Sequence, residues 1–139
     1  MIEKNIKKDM VAGLIIENEK LLLVHNIKHN GLRIEPPGGK KNGDEKWEEA
    51  VVREIQEELD IIVEPIKLFG IYDTFSPEGD FSVHMYFCEI LKGKPKIVEP
   101  DKINEFKWCS FNELEELKKS GYLVPNMSEA LSNLKPFLT

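Results

Sequence analysis

Apolar residues run almost unbroken over 10–16 (MVAGLII) and again over 21–25 (LLLVH), with the polar turn ENEK between them. Two short apolar runs parted by such a turn predict a buried hairpin. Residues 32–35 (LRIE) form a short extended piece leading into Pro36, Pro37, Gly38 and Gly39. Bare glycines in that loop let a backbone approach a ligand closely. The period then changes. From Glu45 to Leu59 the chain holds neither Gly nor Pro, and Val51, Val52, Ile55 and Leu59 share one helical arc that should face a core. Beyond it, residues 62–65 read as a connector, 66–75 as a strand, 76–80 (SPEGD) as a turn and 81–91 as an alternating strand. Residues 92–101 read as a loop and 105–111 as a last strand. A short helix over 112–119 follows, with Asn112 as its N-cap and Ser120-Gly121 as its stop, and 126–134 supply a final helix. The pattern by itself gives one α+β domain over residues 1–139.

The other side of the central helix carries the chemistry. At about 100° per residue, Glu54, Glu57 and Glu58 fall within one arc of roughly 100°. Carboxylates three and four residues apart repel, each pair by about 0.2–0.5 kcal/mol. A cation between them removes the penalty. Crowded hard oxygens suit Mg²⁺ or Mn²⁺; zinc would call for His or Cys. Mg²⁺ also tends to bridge carboxylates to substrate phosphates. An acidic stripe can equally be a solvated helix face, so the spacing of the whole stretch has to decide.

Residues 38–61 read GGKKNGDEKWEEAVVREIQEELDI. This stretch resembles the signature of the Nudix hydrolases, G-x5-E-x7-R-E-U-x-E-E-x-G-U with U aliphatic, and Gly39, Glu45, Arg53, Glu54, Ile55, Glu57, Glu58 and Ile61 match it. One position departs: Asp60 stands where the signature has Gly. That Gly caps the helix in a left-handed conformation, which Asp tolerates with mild strain.

The resemblance implies an α/β/α sandwich, a mixed sheet flanked by helices. It also implies hydrolysis of a nucleoside diphosphate linked to another group, with Mg²⁺ as cofactor and Mn²⁺ as a substitute. Metal ligands carried over are Glu54, Glu57, Glu58 and Gly38, with Glu105 as a further ligand. Glu54 is a candidate general base, in competition with a later acid such as Glu105, Glu99 or Asp101. Arg53 and Glu45 would orient the carboxylates. Glu35 lies where family members place nucleoside contacts, Lys40 is either a phosphate contact or a surface lysine, and Asn126 either reads a base or caps the last helix. The run LVPN over 123–126 is similar to that of MutT-type enzymes, which remove pyrophosphate from oxidised purine triphosphates. Pro77 is near a downstream proline associated with ADP-ribose hydrolysis, and a non-catalytic nucleotide-binding domain is the alternative from another class.

A net charge of −6 argues against a stable nucleic-acid partner or a membrane-surface binder. It permits a small nucleotide substrate, because a bound dication inverts the local sign. No apolar run approaches the ~20 residues a bilayer requires. The charged start, MIEKNIKKDM, has no apolar signal core, so the expected compartment is the cytoplasm. Cys88 and Cys109 read as buried free thiols. A monomer or a homodimer is expected.

Overall fold

The computed structural model describes residues 6–139. The first five residues, on which part of the expectation about export rests, lie outside the described residues. In chain order the elements are β1 (Lys8–Glu17), β2 (Lys20–Asn26), β3 (Arg33–Glu35), β4 (Gly38–Lys40), α1 (Trp47–Leu59), β5 (Ile62–Ser76), β6 (Gly79–Lys92), β7 (Ile103–Cys109), α2 (Phe111–Ser120) and α3 (Pro125–Leu134). A short 3₁₀ turn, Lys135–Phe137, follows.

The strands form one mixed sheet in the order β3-β2-β1-β6-β5, with β4 paired to β1 and β7 to β2. The β1–β6 pair is parallel, Lys8 opposite Phe81 through Ile15 opposite Cys88, and the other pairs are antiparallel. Because β1 and β2 are covered on both faces, they read as unbroken apolar runs. Val11, Ile15, Leu22 and Val24 face α1, which buries Ala50, Val51, Ile55 and Leu59 against them. Ala12, Leu14, Leu21 and Leu23 face the opposite way, toward Leu114 of α2 and Met127, Ala130, Leu131 and Leu134 of α3. The expected α/β/α sandwich is therefore present. Each large apolar side chain sealed in it contributes about 1.5–3 kcal/mol. Gly13 sets the spacing of one layer: a Cβ there would collide with Ile55 Cδ1.

Several boundaries differ from the sequence expectation. Residues 62–65 are strand, because they pair with the far end of β6, the register shifting between Ile62 and Val63, Pro65 and Lys67, and Leu68 and Gly70. The Gly-Gly loop is a short strand on β1, with Gly38 opposite Ala12 and Gly39 opposite Val11. The central helix begins at Trp47 instead of Glu45, since the Glu45 N–H closes a turn on the Asn42 carbonyl at 2.9 Å. The last strand ends at Cys109, and Phe111 already belongs to α2. Asn112 is not the cap of α2. Ser110 Oγ accepts the Glu113 N–H at 3.2 Å while the Glu113 carboxylate accepts the Ser110 N–H at 3.1 Å, a reciprocal capping box. Asn126 is no cap either: Pro125 opens α3 after Val124, which places Asn126 inside the helix. Asp60 adopts the left-handed cap inferred for it, with φ 54° and ψ 39°, and its N–H reaches the Gln56 carbonyl at 3.0 Å. Both cysteines are free and buried. No helix among the described residues is long and apolar enough to cross a membrane.

Candidate active site

The glycines of β4 decide how closely α1 approaches β1. A Cβ at Gly38 would strike the Val11 carbonyl oxygen and come within 2.8 Å of Ala12 Cα; a Cβ at Gly39 would strike the Glu54 carboxylate. With no side chains in the way, the Gly38 N–H donates to Glu58 Oε1 at 2.8 Å and Glu54 Oε2 lies against Gly39. The acidic stripe of α1 is thus docked on the glycine strand, away from bulk solvent at Glu54 and Glu58. Only Glu57 is largely open, with 58% of its side chain exposed against 15% for Glu54.

Arg53 organises these acids. Its Nε and Nη2 donate to the two oxygens of Glu45 at 2.7 and 3.0 Å, a bidentate pair. Nη1 reaches Glu54 Oε1 at 2.9 Å and both oxygens of Glu57 at 3.3 Å, and Nη2 also meets the Lys40 carbonyl at 3.0 Å. The guanidinium therefore joins the turn before α1, two carboxylates of the stripe and β4. Its bonds hold the Glu45 carboxyl down to about 2. Glu58 has no such partner. Desolvation, reinforced by the neighbouring charge of Glu35, pushes its pKa up to about 8. Desolvation also raises Glu54, against the opposing pull of Arg53.

Two hollows that share Lys28 and Glu54 flank the stripe. The smaller, about 130 Å³, is bounded by Glu54, Glu57, Glu58, Glu99, Lys28 and Lys102. The larger, about 380 Å³, shares Lys28 and Glu54 and extends past Glu35, Gly38 and Lys40 to Arg33, Thr74 and Glu78. Inside it, Asn26 Nδ2 donates to Glu35 Oε1 at 2.6 Å, and burial raises the pKa of that carboxyl. Lys40 Nζ is held by Glu78 Oε1 at 2.7 Å. Thr74 Oγ1 is buried with no hydrogen-bond partner. The acids of the helix thus share these hollows with Lys28, Arg33, Lys40 and Lys102.

The residues singled out in the sequence divide accordingly. Glu35, Gly38, Lys40 and Glu54 share the larger hollow, and Glu54, Glu57 and Glu58 the smaller one. Glu105 is not brought there. Strand pairing sets it opposite His25, whose Nδ1 lies 3.5 Å from its carboxylate, and Glu99 takes the place beside the stripe. Asn126 lines neither hollow; it is buried behind them, its Nδ2 3.7 Å from Met85 Sδ. Lys28, which lines both hollows, was missed, because a lysine in a polar loop carries no signal until the loop is seen to fold over the site. The stack of Trp47 on His84, centroids 3.5 Å apart, was missed as well. It locks the start of α1 to β6 and leaves His84 Nδ1 buried and unpartnered.

Three acids with hard oxygen donors, one of them unable to ionise readily without a positive partner, suit a divalent cation. Among the described residues no three His, Cys, Asp or Glu side chains already converge on one point; Arg53 stands between Glu54 and Glu57 instead. The donor set fits, and Glu57 is free enough to turn inward.

This chain belongs to the Nudix family: the family model for the NUDIX domain matches residues 7–131. It is 34% identical over 100 residues to an ADP-ribose pyrophosphatase of Methanocaldococcus jannaschii, over 69% of this chain and 59% of that protein. The match therefore spans less than two thirds of the archaeal relative. It is 32% identical over 94 residues to the 8-oxo-dGTP diphosphatase of Escherichia coli, over 65% of this chain and 73% of that protein. Among solved structures, a MutT NUDIX hydrolase from Burkholderia pseudomallei superposes with a TM-score of 0.72 at 26% identity, covering 78% of this chain and 86% of that one.

Proposed function

We propose that this chain is a Mg²⁺-dependent pyrophosphohydrolase of nucleoside triphosphates, oxidised purine nucleotides included, releasing a nucleoside monophosphate and pyrophosphate. The observation that carries the reading is the docked acidic stripe, with Glu54 and Lys28 lining both of two neighbouring hollows and Arg33 and Lys40 lining the larger. Glu54, Glu57 and Glu58, with Gly38 beside them, would hold the ion, which when bound offsets phosphate charge and lowers the pKa of a water. Arg53 fixes Glu54 through Oε1 and leaves Oε2 to accept a proton from the attacking water. Lys28, Arg33 and Lys40 would receive the phosphates. Glu99, beside the stripe, is better placed than Glu105 to be the later acid.

For the base, Asn126 is relieved of capping duty, and its amide meets only a thioether, a weak acceptor. The amide is buried and lines neither hollow, so base reading by Asn126 requires a nucleotide that opens a path to it. The buried free thiols support a reducing, cytoplasmic setting.

The test is a panel of (d)NTPs, oxidised purine triphosphates, ADP-ribose and dinucleoside polyphosphates with Mg²⁺, with products resolved. Pyrophosphate plus nucleoside monophosphate is expected. AMP plus ribose phosphate from ADP-ribose would install the rival reading, which the archaeal relative favours. Nucleotide binding without any product would install the non-catalytic reading. On the preferred substrate, Asn126→Ala should raise KM about 10-fold, since a bidentate base contact is worth ~1–3 kcal/mol; an unchanged KM removes Asn126 from recognition.

A further inference from the structure

The turn joining β5 to β6 reaches across the mouth of the larger hollow. At its tip, Glu78 Oε1 accepts from Lys40 Nζ at 2.7 Å, and Glu78 Oε2 lies 3.5 Å from His29 Nε2. Lys40 belongs to β4 on one wall, and His29 to the β2–β3 connection on the other. The backbone of the same turn is anchored from both sides. Lys8 Nζ donates to the Glu78 carbonyl at 2.8 Å, and Arg33 Nη2 donates to the Phe75 carbonyl at 2.9 Å. The Glu78 N–H donates to Ser76 Oγ at 3.1 Å, which ties the turn to itself. Arg33, His29 and Lys40 all line the cleft, and each is engaged by this one turn.

We infer that Glu78 is a specificity-determining residue: a tethered carboxylate that competes with substrate phosphates for Lys40 and His29, so that highly charged phosphate chains enter and monophosphates are released. The competition is intramolecular, so it is always present, and an incoming anion must displace it to reach Lys40. A pyrophosphate or triphosphate group carries enough charge to bridge Lys40 and its neighbours at once. A longer chain can also lodge on Lys28 and Arg33 while the Lys40–Glu78 pair stays closed, whereas a monophosphate at Lys40 must displace Glu78 outright and is weakened more. The same carboxylate therefore discriminates by chain length and clears the product of a reaction that shortens the chain. The Lys40–Glu78 pair is half-exposed, with side-chain exposures of 51% and 42%, so its removal should shift affinity by a factor of about two to five.

The inference rests on the proposed reading of Lys40 as a phosphate contact, and its test is chosen to stand apart from the choice of nucleotide. Calorimetric titration with inorganic pyrophosphate and with inorganic phosphate, at low ionic strength and without added metal, compares the wild type with Glu78→Gln. Pyrophosphate binding should tighten about threefold in the variant. Phosphate binding should tighten by a larger factor, narrowing the preference for the longer chain. In a Lys40→Met background the Glu78→Gln effect should fall to less than half, since the two residues act on one interaction. Unchanged or weaker pyrophosphate binding in Glu78→Gln overturns the inference, as does equal tightening for phosphate and pyrophosphate or an equal effect with and without Lys40. If pyrophosphate behaves as expected while no nucleotide is hydrolysed, the proposed function fails and the role of Glu78 stands. If nucleotides are hydrolysed and Glu78→Gln changes no anion affinity, the reverse holds.

Discussion

Glu45 and Glu58 lie at opposite ends of one signature and show opposite electrostatics. At the start of α1, Glu45 meets Arg53 through two bonds and accepts a third from the Asn42 N–H, and its carboxyl is held down to about 2. At the last residue but one of α1, Glu58 has a single N–H from Gly38, acidic neighbours in Glu35 and Glu54, and a pKa pushed up to about 8. The first region is complete: its charges are matched by the protein. The second is not, and the protein has brought acids together there without supplying their counter-charge. Folding would favour the first arrangement everywhere, so the second marks where a ligand is expected to finish the structure.

The largest way to break this contrast is Glu57→Gln. It should lower kcat by more than about 100-fold with the Mg²⁺-loaded enzyme, since even indirect partners of a metal site are worth 10–100-fold. Melting without metal should be unchanged or slightly higher, because a repelling charge is gone. Near wild-type turnover would refute the ligand assignment.

Arg53→Met should cost about 10–100-fold in kcat, because Glu54 and Glu57 lose their common anchor. It should also lower stability by about 1–3 kcal/mol by leaving the half-buried Glu54 without the bond that compensates its desolvation. Loss of stability with full activity would make Arg53 purely structural.

The pH dependence sharpens the contrast. The Glu58 pKa is higher folded, about 8, than its ordinary 4.5. Its contribution to stability is therefore complete below pH 4.5 and is lost as pH rises through 8. Metal-free protein should lose on the order of 3 kcal/mol across that window. Glu58→Gln should flatten the slope, and added Mg²⁺ should reverse it, because the ion replaces the proton. Denaturant titrations from pH 5 to 8 decide; a flat wild-type profile would show that Glu58 ionises freely.

Smallest is Thr74→Val. Replacing a buried, unpartnered hydroxyl by a methyl of similar shape should raise stability by up to about 1 kcal/mol. A loss of stability would reveal a bond that Oγ1 makes in solution.

The layered fold was legible because β1, β2 and α1 carry strong periodicity, and a helix period cannot be mistaken for two strands covered on both faces. The boundaries were not legible where local chemistry competed. Asn112 is as good a cap as Ser110 by residue type, and only the reciprocal bond with Glu113 distinguishes them. Residues 62–65 contain a proline and look like a connector, yet bulges let them pair with β6. Within the site, the stripe and Arg53 could be read because helical spacing fixes which side chains are neighbours. Glu105 and Glu99 could not be ranked, because strand register sets one against His25 and a turn sets the other beside the stripe.

By itself the sequence determined the local part: which residues share a helix face, that glycines precede it, and that three carboxylates crowd one arc. These follow from bond geometry over a few residues and need no distant partner. Only the tertiary structure decided what surrounds that arc. Lys28 and Glu78 come from separate loops, Lys40 and Glu35 from two short strands, and the proton affinity of Glu58 from its own burial and the nearby charge of Glu35. Charge and burial act through space, and no local pattern in the chain records which distant groups will share that space.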